Sequence, residues 1–230
     1  MTKKVFIFKG DKSDRDGFCE IIKDRVISGI MELNPSKLKL TITEDKPPAI
    51  SIIPFSKTPV ACISVEKNLS DDTSIDEMAK MEEFAKKQKG FVGIYLVSEA
   101  VPVAYEMNWP VNTRTPGACM LTLFCQKKGI SHDEFLNRWF NGHTPLSLKL
   151  HPLWNYVRNQ VTDSTGAAAH YDGIVEEHVK DAKDLLRPFR FFGPFYRVPL
   201  SMLQTLIDVT GFIQYSSIET YLVSEYWYQS

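Results

Sequence analysis

Cysteine is scarce. The 230 residues hold only Cys19, Cys62, Cys119 and Cys125, and no two of them form a C-x-x-C pair. That sparseness excludes a disulfide-stapled scaffold and favours buried thiols in a reducing cytoplasm. Long apolar runs are missing too: nothing approaches the roughly 18 residues a membrane span needs. An excess of either charge is absent, with 27 Lys+Arg against 28 Asp+Glu and a net charge of −1. No global positive field therefore exists to hold nucleic acid or anionic lipid, although local basic patches are not excluded. The sequence contains no G-x-G-x-x-G, no P-loop, no G-x-S-x-G and no H-E-x-x-H, so nucleotide binding and the usual serine-hydrolase and zinc-protease geometries lack support. No low-complexity segment occurs.

What is present is ordinary globular material, 43% hydrophobic and 24% charged, enough for one large domain or two of about 100 residues. The opening MTKKVFIFKGDKSD is interrupted by Lys9 and reads as a first strand rather than a secretory leader. Helical spacing of Phe18, Ile21, Ile22, Val26 and Ile30 follows, with Ser13 as the expected N-cap. LKLTITED (38–45) alternates Leu38, Leu40 and Ile42 with polar residues, the pattern of a half-buried strand. VACISVE is a third strand, SIDEMAKMEEFAKKQKG an amphipathic helix ending at Gly90, and FVGIYLVSE a fourth strand.

The same order returns in the second half. CMLTLFCQK is a strand, and SHDEFLNRWF a helix with Ser131 at its N-cap and Glu134 three residues on. NYVRNQV and YDGIVEEHV are strands, PLSMLQTLIDVTGFI a helix, and IETYLVSEYWY a closing strand. The pentapeptide YLVSE occurs in the last strand of each half, at Tyr95–Glu99 and Tyr221–Glu225. The expected fold class is α+β: two ferredoxin-like βαββαβ repeats packed sheet to sheet as a dimeric α+β barrel within one chain. Residues 1–108 would be the first repeat and 117–230 the second. The linker would be 109–116, within the aperiodic NWPVNTRTPG. An unrelated α+β domain with two similar strands is the alternative.

The segment RWFNGHTPLSLKL (138–150) reads as a helix stop followed at once by a helix start. Asn141-Gly142 suits a left-handed C-terminal position and Thr144-Pro145 an N-cap with Pro at the first helical position. His143 would sit in the break, between two helix ends of opposite effect on its protonation, poised for acid/base work or merely capping the last carbonyls. Setting Phe135 over Phe18 places His143 over Val26, where the first-half helix is expected to run on unbroken. Trp139, Trp154, Tyr156 and Arg158 surround the break. The aromatics are either core or ligand platform. Tyr156 and Arg158 share one strand face and would orient a ligand oxygen if that face lines a pocket. FRFFGPFY (189–196) brings Phe191, Phe192 and Phe195 into a connection whose first-half counterpart, KNLSDDTSI, is polar. It is a lid over an apolar ligand, a homodimer contact or a core plug. Glu177 and His178 in EEHV point to opposite faces and so do not make a metal site. His132 and His151 read as surface.

FCQKKGISHDEFLNRWFNGHTPLSLKLHPLWNYVRNQV resembles the EthD-type branch of the dimeric α+β barrel superfamily. The features that carry the resemblance are the Lys-rich strand end, Gly-Ile-Ser before the helix, the Phe and Trp, then His-x-Pro-Leu and NYVRN. The match is sharpest over Leu123–Val161; Gln160 stands where compared members often carry a second histidine. The resemblance implies small-molecule oxidative or aromatic metabolism: a cofactor-independent oxidoreductase or monooxygenase, or a dehydratase or cyclase. His143, Tyr156 and Arg158 would be catalytic, and Trp139, Trp154, Phe191, Phe192 and Phe195 would bind substrate. Neither cofactor nor metal is expected. The expected partner is a small apolar or aromatic molecule, with no nucleic acid and no membrane, and the expected location is cytoplasmic. A non-catalytic ligand-binding accessory protein of an oxidative pathway is the rival reading, and an interaction module a third.

Overall fold

The computed structural model describes residues 2–229. Strand β1 (Thr2–Lys9) leads into α1 (Arg15–Glu20), a wide π-helical turn at Ile21–Ile27, and α2 (Ser28–Met31). Then come β2 (Lys37–Ile42), β3 (Val60–Lys67), α3 (Asp72–Lys86) and β4 (Phe91–Val103). The second half begins with β5 (Ala118–Phe124) and α4 (His132–Asn137), a π turn at Arg138–His143, and α5 (Thr144–Leu150). It continues through β6 (Asn155–Thr165), β7 (Gly173–Val179), α6 (Ala182–Leu186), α7 (Pro188–Phe191), α8 (Val198–Phe212) and β8 (Glu219–Gln229).

The eight strands form one closed antiparallel barrel in the order β1-β3-β2-β8-β5-β7-β6-β4. Within the first half the order is β4-β1-β3-β2, and within the second it is β8-β5-β7-β6. Two seams join the halves. At one, β2 pairs with β8 (Leu40 opposite Tyr226); at the other, β4 pairs with β6 (Val97 opposite Val161). The two YLVSE copies take the same place, Tyr95 opposite Val5 and Tyr221 opposite Leu121. Closure leaves no unpaired edge to template aggregation.

Closure and the covering helices together bury both faces of β1, β2 and β3. On β1, Val5 and Ile7 join the barrel interior with Tyr95, Leu121 and Tyr221, while Phe6 and Phe8 pack beneath the first-half helices with Ile22, Val26, Met78 and Met81. The half-buried strand expected at 38–45 is corrected for this reason. Leu38 and Leu40 face the helices, and Lys39 and Thr41, which alternation assigns to solvent, are buried inside the barrel. Ser13 is not the N-cap: the Asp14 side chain accepts from Gly17 N–H, and Ser13 bonds Asp11. The expected linker is tied down, Asn112 N–H donating to Trp227 O (2.7 Å) and Thr115 N–H to Glu225 O (2.8 Å).

One end of the barrel interior is ionic. Lys39 is ion-paired with Glu176 and lies 3.7 Å from Glu225, all three nearly solvent-free. Glu225 also accepts from Tyr105 Oη (2.5 Å) and Thr115 Oγ1 (2.8 Å). Burial alone would raise Glu225, but Lys39, His178 and the hydrogen bonds from Tyr105 and Thr115 together outweigh it and the carboxyl lies below its ordinary 4.5. The same carboxylates lift Lys39 well above its usual value despite burial. Glu225 therefore adds stability above about pH 4.5 that is lost as pH falls through its lower folded value. Lys39→Met strands two buried carboxylates and should cost about 3–5 kcal/mol in urea unfolding at neutral pH. Adding Glu176→Gln and Glu225→Gln should recover part of that loss. A cost below about 1 kcal/mol for Lys39→Met alone would mean water reaches the cluster.

Candidate functional site

Ser131 starts the second-half helix, its hydroxyl accepting from Glu134 N–H (3.1 Å) with Asp133 and Glu134 in the first turn, as the dipole favours. The helix does not stop at Gly142, which corrects the expected break. His143 (φ −63°, ψ −44°) and Thr144 (φ −59°, ψ −49°) are helical, and Gly142 is not among the left-handed glycines. Pro145 is accommodated inside the continuous helix. It has no N–H to give, and its ring crowds the carbonyl four residues back. The chain absorbs this as a π turn: Thr144 N–H donates to Trp139 O, and Thr144 Oγ1 bonds the same carbonyl (3.0 Å). The first-half helix carries the equivalent turn at Ile21–Ile27, so the halves differ in side chain, Val26 against His143, and not in a break. Four-residue steps drift around an α-helix of 3.6 residues per turn, and the wider turn takes that drift back. Trp139, His143, Ser147 and His151 consequently line one cavity.

That cavity has a volume of about 200 Å³. Its floor is the outward face of β5 and β7, with Met120, Thr122, Phe124, Val175 and Glu177. The helix bearing His143 and the inner face of α8 (Thr205, Val209, Phe212) form the roof. Phe191 and Phe192 close one side, and the first half contributes Ile52, Ile53 and Pro54. In the first half the corresponding space is filled: Phe18, Ile22 and Val26 pack with Met78 and Met81 of α3.

His143 is held at both ring nitrogens. Nδ1 lies 2.6 Å from Asp208 Oδ2 on α8, and Nε2 lies 3.1 Å from Ser147 Oγ. A carboxylate only accepts, so the proton sits on Nδ1 and Nε2 is left as the basic nitrogen. With helix continuous on either side, Asp208 and not a pair of helix ends sets the charge around the ring. Glu177 shares the cavity. It is 7% exposed, and burial pushes its carboxyl up to about 7, with a smaller opposing pull from His143. His151, expected on the surface, is buried: Nδ1 donates to Phe191 O (3.0 Å) and the ring stacks on Phe191 at 4.0 Å. Desolvation drops its pKa to about 4 and keeps it neutral.

The other expected site residues divide. Trp139, Phe191 and Phe192 line the cavity; Trp154, Tyr156, Arg158 and Phe195 do not. Tyr156 and Arg158 do share a strand face, but it lies under the helix. Tyr156 is fully buried there with Phe135 and Trp139. Arg158 donates to Thr144 Oγ1 (2.6 Å) and lies 4.3 Å from the Phe140 ring centre. Trp154 stacks at the far end with Tyr105 (5.1 Å) and Trp109 (5.5 Å), and Phe195 is 85% exposed. FRFFGPFY therefore splits, two rings walling the cavity and the rest facing outward. Glu177, Ser147 and His151 also line the cavity and Asp208 holds His143, and the sequence alone does not mark these four for a site. The available signals were the lone charge of α8 at Asp208 and the four-residue spacing from His143. Among the described residues no cluster of metal-ligating side chains occurs.

No family model matches the sequence, and no curated protein matches it. Solved structures do. An anthrone oxidase-like protein superposes with a TM-score of 0.56 at 9% identity, covering 98% of this chain and 90% of that one. A candidate monooxygenase from Fusobacterium nucleatum subsp. nucleatum superposes at 0.49 with 10% identity, covering 99% and 92%. At such identities the first likeness establishes fold alone. The fold is that of the dimeric α+β barrels, its eight strands here closed within one chain.

Glu177 gives a direct check on the cavity. Its folded pKa is raised, so its neutral form is tolerated below about pH 4.5 and stability is lost as pH rises through about 7. Glu177→Gln should remove that loss, gaining about 3 kcal/mol on the parent between acid and alkaline pH. A gap that does not change with pH would place the carboxylate in water.

Proposed function

We propose that this chain is an EthD-like small-molecule enzyme in which His143 takes a proton from an apolar, aromatic substrate. In this reading 1–108 and 117–230 are diverged ferredoxin-like copies joined by 109–116, the first a scaffold and the second bearing the site. The matching strand orders of the halves and the equivalent places of the YLVSE copies support it.

One observation carries the chemistry: an imidazole fixed by Asp208 shares an apolar cavity with a carboxyl group that burial raises to about 7. Such a pair divides the roles of base and acid. His143 Nε2 removes a proton from carbon next to a ring carbonyl, and Glu177 as the neutral acid donates to the carbonyl oxygen where charge develops. With dioxygen as oxidant, the resulting carbanion gives up electrons and forms a C–O bond. The CH₂ becomes C=O, one oxygen atom stays in the product, and the other leaves as water with both hydrogens. Without dioxygen the same carbanion expels a β-hydroxide, which leaves as water with the proton from His143. The oxidative route is preferred because a fold neighbour is anthrone oxidase-like. Neither route calls on a bound cofactor. Trp139, Phe191 and Phe192 supply the apolar walls for a ring system.

A panel of fused-ring ketones and phenols, followed by oxygen uptake and product mass, tests this. His143→Gln should lower kcat by about 100-fold or more while ligand quenching of tryptophan fluorescence is kept. Equal turnover by parent and variant would sink the acid/base reading. Tight binding by the parent with no turnover across the panel would replace it with the accessory-protein reading.

The pH profile is a further expectation. kcat/KM should fall as pH rises through about 7, where Glu177 loses its proton, and Glu177→Gln should flatten that limb.

The 3.1 Å Ser147–His143 contact, with Asp208 behind it, favours a second reading, acyl transfer through Ser147. An alkyl fluorophosphonate should then label Ser147 in the parent but not after Ser147→Ala or His143→Gln. In the acid/base reading Ser147 stays unlabelled and Ser147→Ala keeps most of the turnover.

A further inference from the structure

Helix α8 is apolar where a surface helix should be polar. It touches the protein along one narrow stripe: Ser201 and Phe212 are buried, and Thr205, Asp208 and Val209 are partly covered. Val198, Thr210 and Gly211 are partly covered as well, and the outer surface between them is open, with Leu200 57%, Leu203 52% and Ile207 63% exposed. Met202 and Leu206 add to the same outer surface. Asp208 is the one ionisable group from Val198 to Phe212, and it is engaged by His143. An exposed apolar patch of this kind marks an interaction site.

The approach to α8 has the same character. Gly193, at φ +90°, makes a turn open to few residue types and leads to Phe195 and Tyr196, 85% and 75% exposed. Phe189 is half exposed. The exposed charged side chains between residues 182 and 207 are Lys183, Arg187, Arg190 and Arg197, all cationic. Asp184 is mostly covered and the side chain of the neighbouring Asp181 is exposed; both are ion-paired with Arg190, which leaves Lys183, Arg187 and Arg197 as the exposed cations of this stretch outside an ion pair among the described residues.

We propose that α8 and the 187–197 segment dock on a bilayer surface carrying anionic lipid. Apolar and aromatic side chains enter the acyl boundary, and the arginines meet headgroup charge. A helix of about 22 Å is too short to cross, and among the described residues no helix is long and apolar enough to do so. Charge decides against a second copy of the chain as occupant. A two-fold interface uses the same patch on both sides, so a copy would bring the same excess of cations, Lys183, Arg187 and Arg197, against one acid with an exposed side chain, Asp181, that Arg190 already engages. The net charge of −1 argued against lipid only for the molecule as a whole; these cations are local. Docking would also set the outer face of the cavity roof against lipid, since Thr205, Val209 and Phe212 line the cavity from the inner side of α8. The contact stands whether or not His143 is catalytic.

Co-sedimentation of the full chain with phosphatidylcholine vesicles, with and without phosphatidylserine, tests it. The parent should pellet with the anionic vesicles, and less so as salt is raised. Arg187→Gln and Arg197→Gln should each weaken partitioning about fivefold. Leu203→Ser/Ile207→Ser and Phe195→Ser/Tyr196→Ser should each weaken it more than about tenfold, with the thermal midpoint kept because the side chains are exposed. No sedimentation of the parent with either vesicle overturns the proposal. So does a halved molecular mass in solution for Leu203→Ser/Ile207→Ser with vesicle binding unchanged, which would assign the face to a second copy.

Discussion

Pairing the last open edges of two four-stranded sheets governs everything else in this molecule. Once β2 meets β8 and β4 meets β6, the barrel is closed, and each inward side chain must find its partners inside. The apolar half of the interior does this with Val5, Ile7, Leu121 and the two tyrosines of the repeated pentapeptide. At the other end Lys39, Glu176 and Glu225 answer one another. A buried ion cluster is weak evidence for stability but a strong constraint on register. A one-residue slip of β2 would carry Lys39 out of the barrel and put Leu38 or Leu40 into the charged end. The helices are then left with one job, covering the outside of the barrel, and they do it unequally.

In the first half the cover is tight, with Val26 seated against the sheet. In the second half His143 takes that place, and its ring is held from α8 by Asp208 and along its own helix by Ser147. The bond to Asp208 ties two helices across the roof of a cavity whose floor carries Glu177. Desolvation makes these groups chemically informative. The same burial that raises Glu177 lowers His151, so the cavity disfavours the charged form of each.

Much of the scaffold was legible in the sequence, because strand alternation and helix periodicity are local. The places of the strands and the Ser131 cap could be read directly. What failed did so for identifiable reasons. Alternation in LKLTITED reports two environments but not which is water, so Lys39 was assigned outward. Asn-Gly followed by Thr-Pro is a good stop-and-start signal, yet a π turn satisfies the same proline without ending the helix. His151 before a proline reads as surface until Phe191, forty residues on, stacks against it. Tyr156 and Arg158 share a face as the strand period requires, but which face the helix covers is a tertiary fact. Asp208 is a lone acid on an apolar helix and Glu177 one of two adjacent glutamates, local signals that become specific only when the fold sets Glu177 in the cavity and Asp208 against His143.

Because both halves of the barrel lie on one polypeptide, the assembly owes nothing to crystallographic-style equivalence between subunits. In a ring of two identical chains, any residue that opens a hollow on one side opens it on the other, and the loss of packing is incurred twice. Here each position is encoded once. Histidine can stand on one flank while valine keeps its counterpart filled, and the filled flank serves as ballast for the hollow one.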